Sequence, residues 1–168
     1  MSIFGCEASL HDLVGRGDQE KLEQRLDDKP ELVHSRNTLG KTPLHYAVTY
    51  RQPKALALLI ARGAEVNAKD DTGLTPLHVA AILNRIDAAQ ILLDAGAEIA
   101  ARDGFGDTPL HSAALHGNRE ALEFLLRHGA NVVERNGEGK TPRDLAHAHR
   151  KGDIVSFLES VERGLREH

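Results

Sequence analysis

Histidine is the side chain that most invites a chemical role in this sequence, because ten of its 168 residues are His. Three of them, His45, His78 and His111, recur at intervals of 33 residues, and imidazole is a common zinc ligand. Zinc requires every ligand nitrogen within about 2.0–2.1 Å of one ion, whereas stacked helices lie about 8–10 Å apart. His147 and His149 are two positions apart on a predicted helix and diverge. We therefore expect no metal site.

Two Gly-Lys-Thr sequences, at 40–42 and 139–141, resemble the end of a phosphate-binding loop. That loop needs a further glycine five residues before the Gly-Lys pair. Ser35 and Glu134 occupy those positions, so we expect neither a nucleotide nor another cofactor.

Composition excludes several further classes of function. The 21 basic and 25 acidic residues give a net charge of −4, which provides no general attraction to nucleic acid or to anionic membranes. The single cysteine, Cys6, cannot form an intrachain disulfide, and no pattern places a residue to orient His11 as its base. Because the start carries no signal-peptide pattern and no apolar run reaches membrane-spanning length, the sequence predicts a mature, cytoplasmic chain that is not an enzyme.

The elements that must position these residues follow an internal repeat. Thr-Pro-Leu-His occurs at 42–45, 75–78 and 108–111, and Thr-Pro-Arg-Asp occurs at 141–144, always 33 residues apart. Such a period is typical of stacked helical repeats. Other positions recur in step: Ala47, Ala80, Ala113 and Ala146; Leu59, Leu92, Leu125 and Leu158; and Gly63, Gly96 and Gly129.

Each repeat can be interpreted as helix, turn, helix and hairpin loop. The Thr supplies an N-cap oxygen and the following Pro suits the first helical position. A second helix carries apolar residues at helical spacing, and a Gly in the left-handed region ends it. A polar stretch with a Gly before the next cap favours a projecting turn. The predicted fold class is therefore all-α.

This pattern resembles the ankyrin repeat over roughly residues 8–160. The resemblance implies a solenoid of about five repeats whose terminal copies act as caps. It also implies that each His of the Thr-Pro-Leu-His series binds backbone across the repeat boundary. The predicted divisions are an N-terminal cap repeat at 1–37, internal repeats at 38–70, 71–103 and 104–136, and a C-terminal cap repeat at 137–168.

Some positions depart from the family pattern. Arg51, Asn84 and Arg150 stand where the family has Gly at the end of the first helix, and among the four repeats with the Thr-Pro pair only Gly117 matches. Asn tolerates the left-handed conformation expected there, whereas Arg adopts it at a cost of about 1 kcal/mol. Asn67 resembles a position that is hydroxylated in some ankyrin proteins of animal cells, although a role in its own turn suffices to explain it.

The family resemblance implies that proteins bind to the hairpin tips and to the concave side of the first helices. Mapped onto this chain, those positions predict one partner-binding strip that is bordered by charged residues. The strip is formed by Leu39, Tyr50, Leu74, Ile82, Leu83, Phe105, Leu115 and His116. Exposed apolar clusters of this kind mark partner sites. The alternative for Ile82 and Leu115 is that they turn inward and complete the core.

The sequence thus predicts a non-enzymatic protein-interaction module, which could be an adaptor, an inhibitor or a scaffold. The expected state is a monomer that binds an unidentified protein. The alternative is a structural subunit that self-associates through the same strip into a homo-oligomer.

Overall fold

The computed structural model describes residues 8–166, so Cys6 lies outside the described residues. Within that range the secondary structure is helical and contains no strand. The ten α-helices are α1 Leu10–Arg16, α2 Gln19–Asp28, α3 Pro43–Thr49, α4 Pro53–Ala61, α5 Pro76–Ile82, α6 Ile86–Asp94, α7 Pro109–His116, α8 Arg119–Arg127, α9 Pro142–Ala148 and α10 Gly152–Arg166, and a 3₁₀ helix spans Pro30–His34.

The helices form two layers of antiparallel pairs. The inner helices α1, α3, α5, α7 and α9 pack on one another in chain order, and each also packs on the outer helix that follows it. The outer helices α2, α4, α6 and α8 pack in the same order. This arrangement confirms the predicted all-α solenoid of about five repeats.

The core lies between the two layers and is built mainly from leucine and alanine. Leu59, Leu92, Leu125 and Leu158, which recur at one position of the repeat, are at most 1% exposed. They pack against inner-helix alanines such as Ala113, which is fully buried. The small inner residue allows the helices to approach closely, while the leucine fills the space that remains.

The inner helices begin as the sequence predicts. Each Thr N-cap has an extended backbone, with φ of −88° at Thr42 and −89° at Thr75. A capping box joins the Thr hydroxyl to the third helical residue, whose side chain binds the N-cap N–H in return. The Pro at the first helical position has no N–H to leave unpaired.

The turn between the two helices of each pair requires a left-handed residue. Gly17 and Gly117 have φ of 71° and 78°, and the non-glycine residues at the equivalent positions are also positive, at 55° for Arg51, 53° for Asn84 and 57° for Arg150. The prediction of left-handed residues there is confirmed. Every residue except Gly has a Cβ atom, which causes a steric clash in this region. Arg51 and Arg150 are therefore locally strained.

The first repeat departs from the others at both ends. Its helix is capped by Ser9, which forms a capping box with Asp12. His11 still reaches the next repeat, where its Nε2 lies 2.8 Å from the carbonyl oxygen of Lys41. The 3₁₀ helix Pro30–His34 replaces the glycine-ended helix terminus of the later repeats and buries Val33.

The repeat that begins at Thr141 departs from the motif at two positions. Asp144 replaces the His of the motif, and its carboxylate accepts a hydrogen bond from Thr141 N–H at 2.9 Å. It thus keeps the local capping role of that His. Arg143 replaces the usual Leu and pairs with Glu162 of α10 at 2.8 Å, although the Glu162 side chain is only 7% exposed. This ion pair helps to join α10 to α9.

Candidate protein-binding surface

The buried histidines connect each inner helix to the next hairpin loop. Nδ1 of His45 accepts a hydrogen bond from Thr42 N–H at 3.1 Å, so the ring proton is on Nε2. Nε2 donates to the carbonyl oxygen of Leu74 in the next repeat at 2.9 Å. His78 and His111 make the same pair of bonds one and two repeats further along. The expected cross-repeat hydrogen bonds are therefore present.

These bonds require neutral imidazole. Burial lowers the pKa of His45, His78 and His111 below the ordinary value of 6.5, although the bond from Nε2 to a carbonyl partly opposes the shift. A second proton, on Nδ1, would point at the Thr N–H and remove the hydrogen bond that Nδ1 now accepts from it. The histidines are thus structural connectors, and over residues 8–166 no group of three or more His, Cys, Asp or Glu side chains is arranged to hold a metal ion.

A residue that the sequence analysis missed shapes each hairpin loop. The Oδ1 atom of Asn37 accepts from the N–H groups of Leu39 and Lys41, both at 2.9 Å. The same pair of bonds occurs at the equivalent residues, which are Asp70, Asp103 and Asn136. The available signal was Asn or Asp at a fixed position of the period, because these side chains mimic a backbone turn.

Successive hairpin tips are joined through their backbones. The carbonyl oxygens of Leu39, Thr72 and Phe105 accept from the N–H of the next tip at 3.1, 2.9 and 3.0 Å. This approach depends on glycine, since a Cβ at Gly73 would lie 2.5 Å from the backbone nitrogen of Gly104. The tips therefore form one continuous row, with Leu39 and Phe105 two repeats apart along it.

Basic side chains reinforce that row. Lys69 Nζ donates to the carbonyl oxygen of Arg102 at 2.8 Å, and Arg102 donates to that of Arg135 at 2.9 Å. Arg36 makes the equivalent bond to Lys69. The sequence predicts these cations only as the charged rim of a partner site, whereas the structure also gives them a role between repeats.

The predicted strip residues fall into two rows. Leu39 and Phe105 lie on the row of hairpin tips, which we call the tip row, and are 58% and 69% exposed. Tyr50, Leu83 and His116 lie at the carboxyl ends of α3, α5 and α7 and are also exposed. Because these inner helices pack on one another, the three residues form a second row, which we call the helix row.

The remaining strip residues are half-buried. Leu74 follows the tip glycine Gly73 and precedes the helix cap Thr75, and its carbonyl oxygen accepts a hydrogen bond from His45. Ile82 and Leu115 precede Leu83 and His116 at the ends of their helices. Both residues are partly exposed. They are therefore neither fully on the surface, as the strip predicts, nor fully in the core, as the alternative predicts.

The aromatic end of the helix row is packed on the first repeat. The Tyr50 ring lies 5.6 Å from that of Tyr46, which makes an edge contact with His11 at 5.0 Å. Tyr50 also covers Gly15, because a Cβ on that glycine would be 3.5 Å from the ring. Tyr50 is still 53% exposed, so a rigidly supported aromatic surface faces outward.

Asn67 has a different role from the one expected. Its Oδ1 accepts from Glu98 N–H at 2.9 Å, and its Nδ2 donates to the carbonyl oxygen of Gly96 at 3.3 Å. The side chain thus bridges to the following repeat, and the prediction that it stabilises its own turn was wrong. Ala100 and Val133, which occupy the same repeat position, have no side-chain polar group for such a bridge.

Comparison with known protein families agrees with this architecture. Two family models, both described as ankyrin repeats (many copies), match residues 26–80 and 77–126. The chain belongs to the ankyrin-repeat proteins. The search among curated proteins found no match.

Membership in this family indicates the general kind of function. Ankyrin repeats are protein–protein interaction modules, and the fold is typically not enzymatic. Among the helices described here, none is long and apolar enough to cross a bilayer.

Proposed function

We propose that this protein is a non-enzymatic adaptor, inhibitor or scaffold that binds one protein partner through the strip formed by the tip row and the helix row. The strip spans the internal repeats that we assign to 38–70, 71–103 and 104–136. We also propose that it acts in the cytoplasm, since a chain with a single cysteine needs no oxidising compartment.

One observation carries the proposal. Leu39, Tyr50, Leu83 and Phe105 are large apolar residues that are 36–69% exposed, at repeat positions where the fold accepts other residue types. The equivalent of Phe105 is Thr72 in one repeat and Glu138 in another, and both are exposed. An apolar residue there contributes little to folding and is available to a partner, for which Tyr50 and Phe105 are candidate anchors.

A capture experiment tests this proposal. The tagged wild-type chain is compared in its native lysate with a Leu39→Ser, Leu83→Ser, Phe105→Ser variant. A Val133→Ser, Leu165→Ser variant serves as the control, because these apolar residues are 52% and 63% exposed and lie outside the strip. Circular dichroism and urea denaturation establish that all three chains are folded.

The outcomes separate the candidate functions. A partner retained by the wild type and the control but lost from the strip variant supports the proposal. Identical retention by all three excludes the strip as the binding surface. If sedimentation instead shows a mass that rises with concentration in the wild type and the control but not in the strip variant, the strip is a self-association surface, and the chain is a subunit of a homo-oligomer.

A further inference from the structure

An open groove of about 920 Å³ lies beyond the carboxyl-terminal end of the helix row. It is formed by the turn between α7 and α8, the turn between α9 and α10, and the first half of α10. His116, the last predicted residue of the strip, is one of its lining residues. The groove is therefore continuous with the surface proposed to bind a partner.

The groove has an excess of positive charge. Arg119, Arg150 and Lys151 line it, and Asp153 is the one carboxylate among its lining residues. This balance is opposite in sign to that of the chain, whose net charge is −4. The excess is thus local to this surface.

Two of the three cations have no acidic partner among residues 8–166. Arg119 is paired with Glu123 at 2.8 Å, and its guanidinium stacks on Phe157 at 4.5 Å from the ring centroid. Arg150 and Lys151, in contrast, have no carboxylate oxygen within 4.0 Å in the described part of the chain. Their charge is available to a ligand.

The backbone holds these two cations at the groove. Arg150 occupies the left-handed position of the turn, and Lys151 extends over Gly117 of the preceding turn. A Cβ on Gly117 would lie 3.1 Å from Lys151 Cδ and 3.6 Å from its Nζ. The lack of a side chain at Gly117 therefore allows the ammonium to lie across the space between the two turns.

We infer that the partner is an acidic, amphipathic peptide segment, whose apolar side chains lie on the strip while its Asp or Glu side chains enter this groove beside Arg150 and Lys151. This inference rests on the proposed function, since it assigns the chemistry of the partner of the same surface. Charge complementarity of this kind sets the orientation of a bound segment and speeds its association. Nucleic acid fits less well, because Arg119 already covers a face of Phe157, the one phenyl ring among the lining residues of the groove.

The test is selection from a display library of random 16-residue peptides against the full chain, followed by affinity measurement with the selected peptides. The variant of interest is Arg150→Glu, Lys151→Glu. The control is Lys54→Glu, Arg127→Glu, which makes the same change of net charge on exposed residues of α4 and α8 outside the groove. The strip variant Leu39→Ser, Leu83→Ser, Phe105→Ser is measured in parallel.

Selected peptides are expected to combine Leu or aromatic residues with Asp and Glu. Their Kd should rise about tenfold in the Arg150, Lys151 variant, change less than twofold in the control, and rise with salt. Peptides that depend on the strip but carry no acidic excess, or that bind the groove variant normally, would overturn this inference and leave the proposed function standing. A library that yields no strip-dependent binder counts against both. Binding of a fluorescent single-stranded oligonucleotide with the same dependence on Arg150 and Lys151 would replace the acidic peptide by nucleic acid.

Discussion

Arg150 is a residue whose conformation conflicts with its type. Its φ of 57° places it in the left-handed region, where a Cβ costs about 1–2 kcal/mol. Glycine would remove that cost. It also makes the unfolded chain more flexible, which lowers the free energy of unfolding by about 0.4–1 kcal/mol. We expect Arg150→Gly to raise the free energy of unfolding by about 0.5–1 kcal/mol, measured by urea denaturation.

The matched control is Arg163→Gly, which makes the same chemical change within α10. There the backbone is right-handed, and glycine should lower the free energy of unfolding by about 1 kcal/mol. Equal effects of the two substitutions would contradict the assignment of strain to position 150.

The buried histidines predict a dependence of stability on pH. Because the pKa of His45, His78 and His111 is lowered below 6.5 by burial, the unfolded chain binds protons at mildly acidic pH that the folded chain does not. The free energy of unfolding that depends on these neutral histidines is therefore complete above about pH 6.5. It is lost as the pH falls from there towards the pKa values of the histidines in the folded chain. Each His contributes at most about 1.4 kcal/mol per pH unit, so the urea midpoint should fall between pH 7.5 and 5.5.

Two substitutions assign this effect. His78→Gln should reduce the slope of the free energy of unfolding against pH, because it removes one of the three groups. His111→Gln should reduce the slope in the same direction, since His111 makes the same pair of bonds. A wild-type stability that is constant from pH 7.5 to 5.5 would show that the histidines are not held neutral.

At the scale of the element, the hairpin loops depend on close contact between neighbouring tips. Gly73 has φ of 83°, and a Cβ there would also approach the backbone of Gly104 to 2.5 Å. Gly139 has a similar φ of 75°, but a Cβ there would have no heavy atom within 4 Å. The two positions therefore share the conformational cost of a side chain and differ in the steric cost.

We expect Gly139→Ala to lower the free energy of unfolding by about 1 kcal/mol and Gly73→Ala to lower it by about 2–4 kcal/mol. The difference between the two, measured by denaturation with urea, reports the contact between tips. If both variants lose the same stability, the hairpins do not need to approach as closely as described.

For the molecule as a whole, the linear stack determines how far damage spreads. Leu92 in α6 and Leu158 in α10 are both fully buried and occupy the same repeat position. Leu92 has a repeat on either side, whereas in the 168-residue chain used for the measurement Leu158 belongs to the last pair of helices. In a stack where each repeat contacts only its neighbours, a central change weakens two interfaces and a terminal change weakens one.

Leu92→Ala should cost about 2–5 kcal/mol and lower amide-exchange protection in the repeats on both sides of α6. Leu158→Ala should instead lower amide-exchange protection mainly in α9 and α10 and leave α3–α6 protected. Urea midpoints combined with hydrogen exchange distinguish these outcomes. A uniform loss of protection in the Leu158 variant would mean that the solenoid unfolds as a single unit.

The sequence alone was sufficient to determine the repeat architecture, because the signals that specify it are local. A Thr-Pro pair starts a helix and a glycine ends one through backbone sterics that need no distant partner. Recurrence at a fixed interval then implies that the units stack. The left-handed residues at Arg51, Asn84 and Arg150 were predicted on the same basis, by their alignment with a glycine position.

Apart from the histidine bonds that the family resemblance implied, only the tertiary structure decided which groups distant in sequence meet. The bridge from Asn67 to Glu98, the cation bonds along the hairpins and the ion pair between Arg143 and Glu162 join residues that are 19 or more positions apart. The half-buried state of Ile82 and Leu115 and the groove beside Arg150 and Lys151 depend on how adjacent turns are rotated against each other. Side-chain periodicity predicts the order of the helices, but it does not predict the distances between them.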